Sequence, residues 1–167
     1  KDDTKAFFAA RTPCLDRLMA GGMMTTLRAH GTAVGLPGDD DMGNSEVGHN
    51  ALGAGRIFDQ GAKLVNAAVA SGSLFGSELW RRLVSRPSST EAALHLVGLL
   101  SDGNVHSHID HLFALVSACR RDGVRRVRVH ILLDGRDVPE TSALTYVDRL
   151  EEFLSGFVRD GNDYRIA

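Results

Sequence analysis

Apolar positions recur at helical spacing over residues 4–20, where Phe7, Phe8, Cys14, Leu15, Leu18 and Met19 fall on the pattern. Pro13 interrupts it, because the residue before a proline is pushed out of the helical region, so the pattern predicts two short helices. Residues 25–36, TTLRAHGTAVGL, alternate and break at glycines, which predicts a short strand leading into the loop PGDDDMGN. A helix follows that loop. Asn44 or Ser45 caps it and Glu46 occupies its first turn, as free N–H groups and the helix dipole favour.

Beyond Arg56 helices and strands alternate. Ala62, Val65, Ala68 and Val69 mark one helix, and residues 74–84, with Trp80, mark another that ends before SRPSST. Residues 92–100, AALHLVGLL, form an apolar run of strand length, as expected when both faces of a parallel sheet are covered. After SDGNVH comes a helix carrying Ile109, Leu112, Phe113, Val116 and Cys119. Residues 125–133, RRVRVHILL, form the next strand, with DGRDVPE as its exit loop. Leu144, Val147, Leu150 and Leu154 mark a further helix, and YRIA opens a third strand. The fold class is α/β with a mainly parallel sheet. In such sheets ligands sit outside the carboxyl ends of the strands, so SDGNVHSH and DGRD are expected side by side on one rim. No internal repeat or low-complexity segment interrupts this order.

The composition narrows the partners. The 167 residues are 43% hydrophobic and 24% charged, enough for one core or for a domain with part of another. A formal net charge of −2 provides no global field for nucleic acid or for an anionic membrane surface, so an anion must be caught locally. Cys14 and Cys119 lie far apart, without metal or redox spacing, and read as free or buried thiols of a reducing compartment. No apolar run approaches the roughly 20 residues needed to span a bilayer. The expectation is a soluble, cytoplasmic protein with neither nucleic-acid nor membrane partners.

Candidate chemistry gathers in three places. Ser45 opens a helix, where a serine is first of all a cap, and where N–H groups also favour a bound phosphate. As a nucleophile its hydroxyl needs a base or metal beside it. The sequence around it, Gly43-Asn44-Ser45-Glu46-Val47, is not the Gly-X-Ser-X-Gly elbow of α/β-hydrolases. Asp39, Asp40 and Asp41 point in different directions and lack EF-hand spacing, so they read as a solvated loop. Among His106, His108 and His111, the loop residue His106 suits phosphate or carboxylate binding, while His108 and His111 suit capping and packing better than a zinc site. His30, His49, His95 and His130 read as structural. Arg136 offers a planar fork for phosphate or carboxylate, and Asp137 accepts hydroxyl hydrogen bonds.

MGNSEVGH…LGAGR, GLLSDGNVHSHIDHLFAL and HILLDGRDVPETSA, in this order, resemble the cofactor-independent (2,3-bisphosphoglycerate-independent) phosphoglycerate mutases of the alkaline-phosphatase-like superfamily. AHGTAVGLP and RTPCLDRL extend the resemblance over nearly the whole chain, and the wording of the serine motif is nearest to the plant and trypanosomatid branch. The resemblance implies a fold in which part of a phosphatase-like domain, residues 1–60, carries the nucleophile. The first part of an inserted α/β transferase domain, residues 61–167, follows and binds substrate. It implies that Ser45 is the transiently phosphorylated catalytic residue and also ligates one of two divalent cations, manganese or else magnesium or cobalt. His106, Arg136 and Asp137 would bind the phosphoglycerate, with no bisphosphoglycerate cofactor and a monomeric intact enzyme.

Two departures matter. Asn104 stands where the family pattern has a second glycine, and asparagine tolerates the left-handed backbone such a glycine marks. The family's upstream metal-binding aspartate and its downstream arginines, lysine and Asp/His ligands have no counterpart in these 167 residues, so the resemblance implies an internal fragment that is inactive alone. Within this frame the alternatives are a related phosphohydrolase or sugar-phosphate mutase, and a noncatalytic piece that binds a phosphometabolite.

Overall fold

The structure, a computed structural model, describes residues 9–167. The expected helix around Phe7 and Phe8 lies outside the described residues. Its successor is α1, Pro13–Gly21, with Pro13 in the first turn, where a missing N–H costs nothing. Residues 25–36 do not form the expected strand. They run without regular structure into a 3-10 turn, Gly31–Val34. Gly31 and Gly35 both take positive φ (64° and 85°), which curls the segment away from any strand path. Next comes α2, Ser45–Ala54, capped by Asn44, whose side chain accepts from Val47 N–H at 3.1 Å. Val34, Leu36 and Val47 are the buried cluster of this part of the chain.

The remaining elements are α3 (Gly61–Ala70), α4 (Ser73–Gly76), α5 (Glu78–Ser89), β1 (Leu94–Leu100), α6 (Ile109–Arg121), β2 (Arg126–Leu133), α7 (Ala143–Arg159) and β3 (Asp163–Ile166). The single helix expected over 74–84 is split, because Ser77 caps a fresh helix by accepting from Trp80 N–H at 3.1 Å. The new helix then continues through Pro87 to Ser89 instead of stopping before SRPSST. Hydroxyls cover carbonyls of its last turn: Ser89 donates to Ser85 O and Thr90 to Arg86 O, both at 2.8 Å.

The sheet is parallel, in the order β1-β2-β3, with Leu94 opposite Val127 and Arg126 opposite Asp163. The two crossover helices α6 and α7 pack on the same face. Val116 and Cys119 from α6 and Leu150 and Leu154 from α7 accordingly share one core with Val127, Val129 and Tyr164 from the strands. Tyr164 is buried, stacks on Phe157 at 5.2 Å and donates its hydroxyl to Val124 O at 2.5 Å. The expectation that both sheet faces are covered fails: Val97 is 71% exposed and Leu132 58%. His95 and His130 lie on that open face, where their rings stack at 5.1 Å and their nitrogens meet at 2.8 Å, rather than inside the core.

Candidate active site at the carboxyl rim of the sheet

β1 and β2 end in register at Leu100 and Leu133, so the loops that begin with Ser101 and Asp134 leave the sheet as neighbours. Asp134 folds its loop around itself. The N–H groups of Gly135, Arg136 and Asp137 donate to its Oδ1 at 2.7, 2.9 and 3.1 Å. Ser101, 1% exposed, faces this carboxylate, which is 8% exposed, without closing a well-formed bond; Ser101 Oγ and Asp134 Oδ2 are buried and unpartnered. The Ser101 hydroxyl and then the loop N–H groups hold the Asp134 carboxyl down at about 2, so it is ionised at neutral pH. The result is a loop whose backbone is fixed from below while Arg136 points to solvent. Among the described residues Arg136 belongs to none of the ion pairs, so its guanidinium is free for an incoming anion.

The first loop is held against the second. A Cβ at Gly103 would stand 2.6 Å from Asp137 Cβ, so glycine is required for the two loops to touch. Asp102 accepts from Tyr146 Oη at 2.5 Å and lies 3.8 Å from Arg149, which anchors the loop to α7. That carboxylate also pushes the Tyr146 phenol above its ordinary value. The expectation that SDGNVHSH and DGRD lie side by side is met. Asn104 takes φ 60°, the left-handed conformation anticipated for it. His106 is exposed and lines a cavity of about 220 Å³ with Gly61, Ala62, Asn104 and His111.

His108 and His111 take the capping and packing roles. His108 Nδ1 accepts from Asp110 N–H at 3.2 Å as the cap of α6, and His111 Nε2 meets Asn66 Oδ1 at 2.5 Å. Burial, followed by the neighbouring His108, lowers the His111 pKa, which keeps the ring neutral and donating through Nε2.

Ser45 is exposed at the first position of α2, and Asn44 rather than Ser45 provides the cap. Its Oγ lies 3.1 Å from His49 Nδ1, which also stands 2.7 Å from the Ser45 carbonyl. A carbonyl oxygen only accepts, so Nδ1 carries the proton and has no lone pair for the serine hydroxyl. His49 is therefore no general base for Ser45 in this geometry. Among the described residues no group of three or more His, Cys, Asp and Glu side chains could hold a metal ion. Ser45 would be one ligand without a cage, so the residues present do not fit the implied two-metal site.

The acidic run is a loop with Asp39 and Asp40 exposed, as expected, but two of its carboxylates also make specific bonds. Asp39 Oδ1 accepts from Thr32 Oγ1 at 2.5 Å, which lowers its pKa. Asp41 accepts from Gly38 N–H at 2.7 Å and from the Asn104 side chain at 2.9 Å. Sequence reasoning passed over Asp134 and read Asp41 only as part of a solvated loop. The signal for Asp134 was an aspartate followed by glycine at a strand end, the mark of a carboxylate that collects its own loop's N–H groups. For Asp41 no local signal exists, because its partner lies in another segment.

A profile of the family described as BPG-independent PGAM N-terminus (iPGM_N) matches residues 65–161. The probable 2,3-bisphosphoglycerate-independent phosphoglycerate mutase of Leptospira interrogans is 52% identical over 162 residues, 97% of this chain and 30% of that protein. Its counterpart in Trypanosoma brucei brucei is 48% identical over 168 residues, covering 100% of this chain and 30% of that one. Leishmania mexicana phosphoglycerate mutase, solved in the crystal at low cobalt concentration, superposes with a TM-score of 0.88 at 48% identity, covering 96% of this chain and 29% of that one. Fold and relatives thus agree on one class, the phosphoglycerate mutases, which are isomerases. Within it, the chain belongs to the 2,3-bisphosphoglycerate-independent family. It spans about 30% of the length of these curated relatives.

Proposed function

We propose that this chain supplies the phosphoryl-accepting serine and the substrate-holding rim of an enzyme that interconverts 3-phosphoglycerate and 2-phosphoglycerate. Residues 1–60 then belong to a phosphatase-like domain and residues 61–167 to a transferase domain. In the reaction the Ser45 hydroxyl loses its proton and Oγ bonds to phosphorus while the bond from phosphorus to the substrate oxygen breaks, and that oxygen takes up a proton in turn. The glycerate turns, its other hydroxyl attacks the phosphoserine, and the Oγ–P bond breaks to restore the serine.

Arg136 holds the glycerate carboxylate or the phosphate, Asp137 accepts from the acceptor hydroxyl, and His106 contacts the anion from the neighbouring loop. Retaining the glycerate keeps water from taking the phosphoryl group. The divalent cations implied by the sequence resemblance would need ligands beyond these residues, and no step here is assigned to them. The observation that carries the reading is continuity: Asp41, in the loop that delivers Ser45, bonds Asn104, and Gly103 beside it packs against Asp137.

The test is Ser45→Ala in the full-length protein. Mutase turnover and phosphoserine formation should both vanish; turnover at a tenth of the parent rate or more overturns the assignment. A second reading, a piece that binds phosphoglycerate without turning it over, is favoured for this chain alone by the lack of a three-ligand metal group among the described residues. Calorimetric titration with phosphoglycerate, with and without manganese, alongside a turnover assay, separates the two.

A further inference from the structure

The Asp41–Asn104 hydrogen bond joins two parts of the molecule that have separate cores. Its length is 2.9 Å, its donor is the amide of a residue with φ 60°, and both side chains are half-buried. Asp41 has no spare oxygen: Oδ2 takes Gly38 N–H at 2.7 Å, and its backbone carbonyl takes Gly31 N–H at 3.0 Å. The carboxylate therefore ties its own loop with one oxygen and reaches the rim with the other. On the far side Asn104 N–H donates to Ser107 O at 3.1 Å, which closes the loop that presents His106, and Gly103 lies against Asp137.

We infer that Asn104 is a positioning residue: its amide clasps Asp41 and thereby fixes the rim that carries His106, Arg136 and Asp137 relative to the loop that delivers Ser45. A glycine would take the same backbone conformation but has no amide to give. The clasp is accordingly a property of this side chain and not of the turn. It touches no substrate and acts through the distance between nucleophile and rim, so its contribution falls on transfer rather than on ground-state binding. This catalytic consequence rests on the reading under Proposed function; the contact itself does not.

The chemistry of the pair provides a specific test in the full-length protein. Asn104→Gly keeps the left-handed backbone and deletes the donor; Asn104→Asp sets one carboxylate against another. The exchanged pair Asp41→Asn with Asn104→Asp rebuilds the bond in the opposite sense, since an asparagine at 41 accepts from Gly38 N–H with its oxygen and donates with its nitrogen. Amide exchange of Gly31 and Gly38 should accelerate about tenfold in each single variant and return to the parent rate in the exchanged pair, the scale expected for a hydrogen bond to a charged group.

In the mutase assay kcat should fall by about the same factor while KM changes less than twofold, the larger loss should be that of Asn104→Asp, and the exchanged pair should recover. Exchange rates unchanged in both single variants overturn the clasp. Accelerated exchange with unchanged kcat overturns its role in transfer. A parent protein without mutase activity removes the functional reading alone, because the exchange measurement still decides the contact.

Discussion

The two parts of the chain are built to different standards. Among the described residues, 14 core residues lie between Trp80 and Tyr164, whereas the part carrying Ser45 has three, Val34, Leu36 and Val47. On the large side the rim loops inherit their positions from strands packed on one face against α6 and α7, and from Asp134 beneath them. On the small side, the Ser45 helix stands on a cap and a few loop hydrogen bonds, and beside it opens an apolar groove of about 490 Å³ lined by Leu27, Ala33, Ala51, Leu52 and Ile57. Ser45 is thus held mainly by polar contacts and the rim loops by packing. A candidate site that joins two such parts depends for its geometry on the weaker one.

This contrast can be broken by experiment. The largest effect is expected from Leu150→Ala, which removes a fully buried side chain under the sheet and should cost ~2–5 kcal/mol. Trp80, the single tryptophan, lies in that core, so its fluorescence reports the unfolding. Val47→Ala should leave the Trp80 transition in place, and equal shifts from both would mean one cooperative unit.

Asp134→Asn should come next, at ~1–2 kcal/mol for weakened hydrogen bonds to a charged acceptor. Its carboxyl is held at about 2 in the fold against an ordinary 3.8, so its stabilisation is present above pH 3.8 and is lost as the pH falls towards 2. Acid unfolding followed at Trp80 should lose that component in the variant.

Asn44→Ala should cost ~1 kcal/mol in α2, read as faster amide exchange at Val47, whereas Ser45→Ala should leave that exchange unchanged. The smallest effect is Arg136→Ala, within ~0.5 kcal/mol of parent stability while phosphoglycerate binding weakens, as a guanidinium outside every ion pair of the described residues predicts.

What could be read beforehand follows the same division. The strands around Leu96 and Val129, the helix of Val116 and Cys119, and the helix of Leu150 and Leu154 announced themselves, because local period and burial agree there. Residues 25–36 misled, because alternation imitates a strand where glycines at positive φ and the absence of a pairing partner among the described residues decide otherwise. Pro87 misled in the opposite direction: the helix runs through it to Ser89, and serine and threonine hydroxyls close its last turn.

At the rim, Arg136, Asp137 and His106 were legible as chemistry after strands. Their support was not: the Asp41–Asn104 bond and the approach of Gly103 to Asp137 depend on how distant segments meet, which no local pattern encodes.

The order of the sheet has a consequence for the life of the chain before the fold exists. Among the described residues β1 pairs with β2 and β2 with β3, each after a single helix, so neither of these pairings waits for a strand synthesised much later. Closure can proceed one crossover at a time as the polypeptide leaves the ribosome, with β1 and α6 serving as a template for β2, and β2 and α7 for β3. The Ser45 segment emerges before β1 and finds its partner Asn104 only after β1 has been made. The loop before Ser45 is therefore made ahead of the rim it contacts and is set in place only once that rim exists.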